Sequence, residues 1–298
     1  MDRNSLTVLR YRFFNMTTRR QFIKLVAPTL FIPKCLNGQA YFLSDQSLLG
    51  NSSPGSSTPI YDPNATNFDG TNDYLTRGAG LTGAADNKVG TISFWAKFGD
   101  DTEAVRTLFV GNYPTGGASQ IGLHVYRDGQ YRIYIDAYNS AGTRILARQT
   151  LDGTDAFTVA NGWRHLMASW NLATLTVHLY VNGSDSNSGT GEVTTNDTID
   201  WTQTDWAIGA YIDGTTKCNA CLADVYINTA EYIDLSNSTN RQKFYNSGPV
   251  NLGADGSTPT GTAPTIYLPN AFGTFQNNVG TGGNFSVTGS LTACSDTP

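Results

Sequence analysis

Between residues 66 and 228 the chain falls into about ten short runs in which apolar and polar side chains alternate, each ended by Gly, Asn or Asp. Ile92, Phe94, Ala96 and Phe98 interleave with Ser93, Trp95 and Lys97. Tyr131, Ile133, Ile135 and Ala137 interleave with Arg132, Tyr134, Asp136 and Tyr138. Leu175, Val177, Leu179 and Val181 interleave with Thr176, His178 and Tyr180. Successive side chains of a strand point to opposite faces, so each run has one apolar and one polar side. A single sheet leaves the apolar sides of so many strands in water, whereas two antiparallel sheets packed face to face bury them. The pattern therefore predicts an all-β sandwich. Further strands are expected near 105–112 and 119–127, with turns at Asp128-Gly129 and Asn182-Gly183. One short stretch, Ser236 to Tyr245, reads as helix.

The alternatives fail on composition. Only 14% of residues are charged, against about 25% in an average soluble domain. That suits sheet faces covered by Thr, Ser and Asn better than a helical bundle. Hydrophobic residues still reach 39%, too many for a disordered chain. The net charge of −5 is divided unevenly: residues 1–34 hold seven basic residues and one acid, which leaves −11 on the rest. An acidic body argues against nucleic acid as a partner. A basic arm on such a body points to targeting or to docking on something acidic.

The arm itself carries a motif. Thr18-Arg19-Arg20-Gln21-Phe22-Ile23-Lys24 resembles the twin-arginine export signal, followed by a modest apolar stretch, Leu25 to Pro33, and by Gly38-Gln39-Ala40 as a cleavage-like site. Two readings stay open for Arg19, Arg20, Phe22 and Lys24: an export signal, or an arm that docks on a partner and is retained. The apolar stretch is broken by Pro28 and Pro33 and is far shorter than the roughly 18 residues of a membrane span, so no span is expected. Residues 1–43 are thus read as arm or signal and 44–60, rich in Ser, Gly and Pro, as linker. Of the four cysteines, Cys218 and Cys221 form a C-x-x-C with no second pair to complete a four-thiolate zinc site. A short-range disulfide or two free thiols are expected there.

Four landmarks carry a family resemblance. Asn67 to Leu75, with Phe68-Asp69-Gly70 at its start, looks like the opening strand of laminin-G-like and pentraxin-like jelly rolls. Val89 to Phe98 resembles their T-x-S-x-W strand. Gly162-Trp163-Arg164-His165 through Trp170, followed by Leu175 to Gly183, is similar to their G-W-x-H-V-A and L-x-L-Y-V-N-G pair, and Leu222 to Ile227 resembles their late I-D-D-V-R-I-Y strand. The resemblance implies a concanavalin A-like jelly roll over 61–230 that works as a binding or structural module, not as an enzyme. Residues 231–298 are expected as a C-terminal extension with a short helix and strands. Its Tyr267-Leu268 and Asn284 to Gly289 segments resemble tails of phage and prophage structural proteins. Together these imply a glycan or protein partner, a capsid or tail assembly, or further copies of the chain. They imply a place on a virion or cell surface, with a periplasmic lectin-like protein as the alternative and a purely architectural decoration protein as a third reading.

Candidate chemistry follows from residue types. Glucanases of this fold carry two carboxylates on one strand face, about 5 Å apart in retaining enzymes. The three glutamates here, Glu103, Glu192 and Glu231, lie near turns and form no such pair. The three histidines are spread over separate strands, which does not suggest a transition-metal site. By resemblance a calcium ion is expected at Asp69, Asp73 and Asp224; calcium wants roughly six to eight oxygens. The alternative is that Asp69 and Asp73 only shape the turns around them. His124, Tyr126, Arg132, Tyr134, Asp136, Tyr138, His178 and Tyr180 occupy the polar sides of their strands and are candidates for glycan binding. Aromatic rings combine apolar area with a polar handle, although tyrosine is also a good strand residue in its own right.

Overall fold

The computed structural model of the chain describes residues 35–36, 39–40, 61–112 and 122–298. The arm residues Arg19, Arg20, Phe22 and Lys24 and the linker 44–60 lie outside them. The chain divides into two units, Met1–Thr58 and Pro59–Pro298. In the first, β1 (Cys35–Leu36) pairs antiparallel with β2 (Gln39–Ala40).

The second unit is the sandwich. Its strands are β3 (Ala65–Asp69), β4 (Tyr74–Arg77), β5 (Val89–Phe98), β6 (Arg106–Gly111), β7 (Gly122–Arg127), β8 (Ile133–Tyr138), β9 (Arg144–Gln149), β10 (Arg164–Asn171) and β11 (Thr176–Val181). They continue with β12 (Ser184–Asp185), β13 (Val193–Thr194), β14 (Trp206–Ile208), β15 (Asn219–Asn228), β16 (Ile266–Leu268), β17 (Ser286–Thr288) and β18 (Thr292–Ala293). One sheet runs β12-β11-β10-β5-β15-β3-β18, with β16 also on β15; the other runs β13-β9-β8-β7-β6-β14-β4-β17. The apolar sides predicted from the alternation meet between them: Ile92, Phe94, Ala96 and Phe98 of the first sheet face Leu123, Val125, Ile133, Ile135 and Ala137 of the second. Trp170, Trp201 and Trp206 stack in a ladder through this core, with ring centres 6.3 Å apart at each step. Two strand glycines make room for it. A Cβ on Gly90 or Gly111 would come within 2.4 Å of the Trp170 or Trp206 indole.

Several local expectations are corrected. Asn182 and Gly183 both take left-handed φ values and close a two-residue hairpin, as Asn-Gly does. Asp128-Gly129 does not: the loop runs from Asp128 to Arg132, with the left-handed residue at Tyr131. Gly129 is there for space, since a Cβ would sit 2.8 Å from the Glu103 carbonyl oxygen. Leu175 lies in the turn before β11 and is exposed. The helix shrinks to four residues, α1 (Ser238–Arg241), capped by the Asn237 side chain. Among the described residues no helix is long and apolar enough to cross a membrane.

The boundary expected at residue 230 is not a structural one. β16, β17 and β18 each join a sheet, and Phe275, Phe285 and Leu291 enter the core. Residues 231–252 instead lie over the outer face of the first sheet. Ile233, Leu235, Phe244 and Leu252 pack there on Met167, Tyr180 and Tyr226. The Thr91 hydroxyl donates to the Glu231 carbonyl and the Ser169 hydroxyl to the Ile233 carbonyl. Cys221 is bonded to Cys294, 73 residues away, while Cys218 is a buried free thiol. The short-range pairing fails because residues three apart on an extended chain point to opposite faces. Cys218 faces the core, and Cys221 faces the C-terminal segment.

Candidate functional site

With the first sheet covered, the outer face of the second carries the open site. His124 pairs with Asp136 and Tyr126 with Tyr134 across β7 and β8, and Tyr138 lies opposite Gly122. All five side chains therefore leave the sheet on the side away from Leu123, Val125 and Ile135. Arg144 enters from the start of β9, opposite Tyr138. Tyr211 arrives from the turn after β14, where the Gly214 N–H bonds to its carbonyl. Together with Val105, these side chains (Tyr134 excepted) line a pocket of about 270 Å³.

Asp136 forms its buried centre, only 3% exposed. Burial pushes its carboxyl up from 3.8 to about 6, against the opposing pull of Arg144 and of the Tyr138 and Tyr126 hydroxyls. Arg144 Nη1 stands 3.6 Å from Asp136 Oδ2, and the Tyr138 hydroxyl donates to the same oxygen at 3.5 Å. His124 is held neutral, its burial lowering it to about 3; its Nε2 lies 3.3 Å from the Thr107 hydroxyl. The rings form a row: Tyr211 to His124 at 5.3 Å, His124 to Tyr126 at 4.3 Å, Tyr126 to Tyr134 at 5.0 Å.

Four of the eight sequence candidates thus line one pocket: His124, Tyr126, Asp136 and Tyr138. Tyr134 stands beside it. Arg132 does not reach in, because its Nε and Nη2 both donate to Asp128 across the loop. His178 and Tyr180 belong to the other sheet and lie under the C-terminal cover. His178 Nε2 is 2.9 Å from the Tyr232 hydroxyl, and the Arg241 guanidinium lies over the Tyr180 ring. Val105, Arg144 and Tyr211 escape the sequence reading, since each sits at a strand end or in a loop outside the alternation.

The three aspartates expected to share calcium do not converge. Asp69 Oδ1 accepts from the N–H groups of Thr71, Asn72 and Asp73, an Asx-type turn. Asp73 ties this turn to the N–H of Ser290. Asp224 lies on β15 five residues beyond Asn219, the partner of Asp69, which is about 17 Å at roughly 3.4 Å per residue. It is buried, and accepts hydrogen bonds from the Tyr61 and Tyr267 hydroxyls at 2.9 and 3.3 Å. Among the described residues no group of three or more His, Cys, Asp or Glu side chains is placed to hold a metal ion. The donor set does not fit calcium at this trio.

No curated protein sequence matches the chain, but solved structures do. A Bacteroides ovatus protein, provisionally described as carbohydrate binding, superposes with a TM-score of 0.52 at 11% identity, over 80% of this chain and 62% of its own. This chain thus accounts for under two thirds of that protein. A heptameric SAP-like pentraxin from Limulus polyphemus matches at 0.43 and 14%, over 64% and 87% of the two chains. Domains LG4-5 of mouse laminin alpha1 match at 0.40 and 15%, over 59% and 44%. Residues 69–231, more than half the chain, match the family described as the Concanavalin A-like lectin/glucanases superfamily, and the chain belongs to that superfamily.

Proposed function

We propose that the protein is a non-catalytic glycan-binding module whose site is the pocket on the second sheet. One observation carries this: the uncovered sheet face gathers a buried carboxylate, a half-exposed guanidinium and several tyrosines around one concavity. Polar groups converging on a partly aromatic hollow are what a polyhydroxylated ligand requires. Among the described residues lining it, Asp136 is the one carboxylate, whereas glycoside hydrolysis calls on a pair about 5 to 9.5 Å apart. That supports binding without turnover. The carbohydrate-binding description of the Bacteroides ovatus protein agrees with this reading.

Display on a virion or cell surface, or in the periplasm, is the setting that fits best. The Cys221–Cys294 bond belongs to the chemistry of oxidising compartments, and the basic arm offers a route by export or by docking.

The test is binding of the full-length chain to an array of defined oligosaccharides. Wild type should bind a subset, and Asp136→Ala should bind about tenfold or more weakly, as loss of a charged hydrogen-bond acceptor predicts. Binding that is indifferent to Asp136, or absent from every glycan, refutes the assignment.

A further inference from the structure

The aromatic side chains of the second sheet stack on one another, and this restricts how the pocket can hold a sugar. His124, Tyr126 and Tyr134 leave the same sheet face, so the lines joining their ring centres run along the sheet. Centres 4.3 and 5.0 Å apart, with planes within 22° and 13°, require rings that stand on edge side by side. Each ring then covers its neighbour, and the Arg132 guanidinium lies over Tyr134 at 5.4 Å. The faces of these three rings, on which the C–H bonds of a sugar would lie flat, are taken up by protein groups. The stack turns its edges outward.

Within the same pocket, Asp136 Oδ1 is buried and accepts no hydrogen bond of normal geometry. Arg144 stands next to Oδ2 with 43% of its side chain exposed. A carboxylate only accepts hydrogen bonds and a guanidinium only donates them. The pair therefore presents an acceptor and a donor side by side. Two adjacent hydroxyls are their complement, one donating to the carboxylate and the other accepting from the guanidinium. The pocket, at about 270 Å³, falls just under the roughly 300–1,000 Å³ of sites for drug-sized ligands. It has room for one sugar ring.

We infer that the pocket takes a single sugar residue by its hydroxyl edge, holding a vicinal diol between Asp136 and Arg144, and does not stack the sugar's face on His124, Tyr126 or Tyr134. This rests on the glycan reading and specifies what that reading leaves open.

The test prints the oligosaccharide array twice, one copy oxidised with periodate, which cleaves vicinal diols. The strongest wild-type binder is then titrated against Tyr126→Phe and Arg144→Gln, with melting temperatures recorded to show that both variants are folded. Periodate should abolish binding. Arg144→Gln should weaken it about tenfold or more, and Tyr126→Phe, which keeps the ring and loses only the hydroxyl, about threefold or more. Binding that survives periodate, or both variants within about twofold of wild type, overturns the diol inference and leaves the glycan reading standing. Failure of the wild type to bind any spot overturns the glycan reading, and the diol with it.

Discussion

The buried carboxyl of Asp224 makes a prediction about stability whose sign runs against the usual behaviour of aspartates. It sits at a left-handed φ of 47°, where β15 shifts register against β5, and is 3% exposed. Burial raises its pKa from 3.8 to about 7, more than the Tyr61 and Tyr267 hydrogen bonds can offset. The folded value lies above the unfolded one. Its contribution to stability is therefore fully present below about pH 4 and is lost as pH rises through about 7. A displacement of about three units at 1.36 kcal/mol each amounts to about 4 kcal/mol in all, of which some 2–3 kcal/mol is lost between pH 5 and pH 8. The wild-type curve alone will not reveal this. His124 and His165 are held at about 3 by burial, below their unfolded value of 6.5, so they lower stability as pH falls and oppose Asp224. The difference between wild type and Asp224→Asn isolates it. Asparagine tolerates the left-handed backbone, still accepts from both tyrosines, and cannot ionise. Urea denaturation of both proteins at pH 5 and pH 8 should show Asp224→Asn gaining about 2–3 kcal/mol on wild type over that interval. A difference that stays flat, or shrinks, refutes the reasoning and means that the site favours the ionised carboxylate.

Four further outcomes follow. Replacing Cys221 and Cys294 by Ser together opens a loop of 73 residues and should cost about 4 kcal/mol in urea denaturation. Cys218, buried with its thiol pushed up to about 12, should react with thiol reagents only once the protein unfolds. Glycan affinity should be full above about pH 7 and fall as Asp136 protonates through about 6, measured by titration calorimetry across pH; Arg144, Tyr126 and Tyr138 face the carboxyl, and burial holds His124 neutral there. Gly111→Ala should lose about 1–3 kcal/mol of stability through its clash with Trp206; an unchanged denaturation midpoint would mean that the tryptophan ladder can yield.

Much of this was legible along the sequence and some of it was not, for a definite reason. Alternation is a property of one strand at a time, and it identified the inward sides of β5, β8 and β11 before any pairing was known. It likewise placed His124, Tyr126, Asp136 and Tyr138 on outward sides, and because β7 and β8 are neighbours joined by a short loop these fall together. Arg144 and Tyr211 join them through the register of β9 and the position of β14, which only the sheet order supplies. His178 and Tyr180 look equivalent in sequence but belong to the covered face. One signal of that cover was available: Met167 and Tyr226 occupy outward positions yet are apolar or aromatic, which an open face has no use for. Asp69 and Asp224 illustrate the converse. Both stand in strands that match the family's landmarks, yet their separation along one strand pair is enough to divide them.

The covered face and the open face are two aspects of one arrangement. A two-sheet sandwich has two outer faces, and in this chain the segment after β15 occupies one of them. That segment contributes its own small core of Ile233, Leu235, Phe244 and Leu252. Its end is fastened by β18 on β3, by the Cys221–Cys294 bond, and by Lys97 to Asp296. Near the disulfide, Trp95, His165 and Tyr245 pack ring on ring and cover that part of the first sheet's outer face. None of the pocket residues comes from this segment. Val105, Asp136, Tyr138 and Arg144 stand on or beside β6, β8 and β9, and among the described residues the segment's strand pairing with the second sheet is β17 on β4, three strands from β7. The C-terminal cover and the proposed binding pocket therefore lie on opposite sides of the core. Changes to the C-terminal segment should act on folding, and changes to the Asp136 pocket on binding.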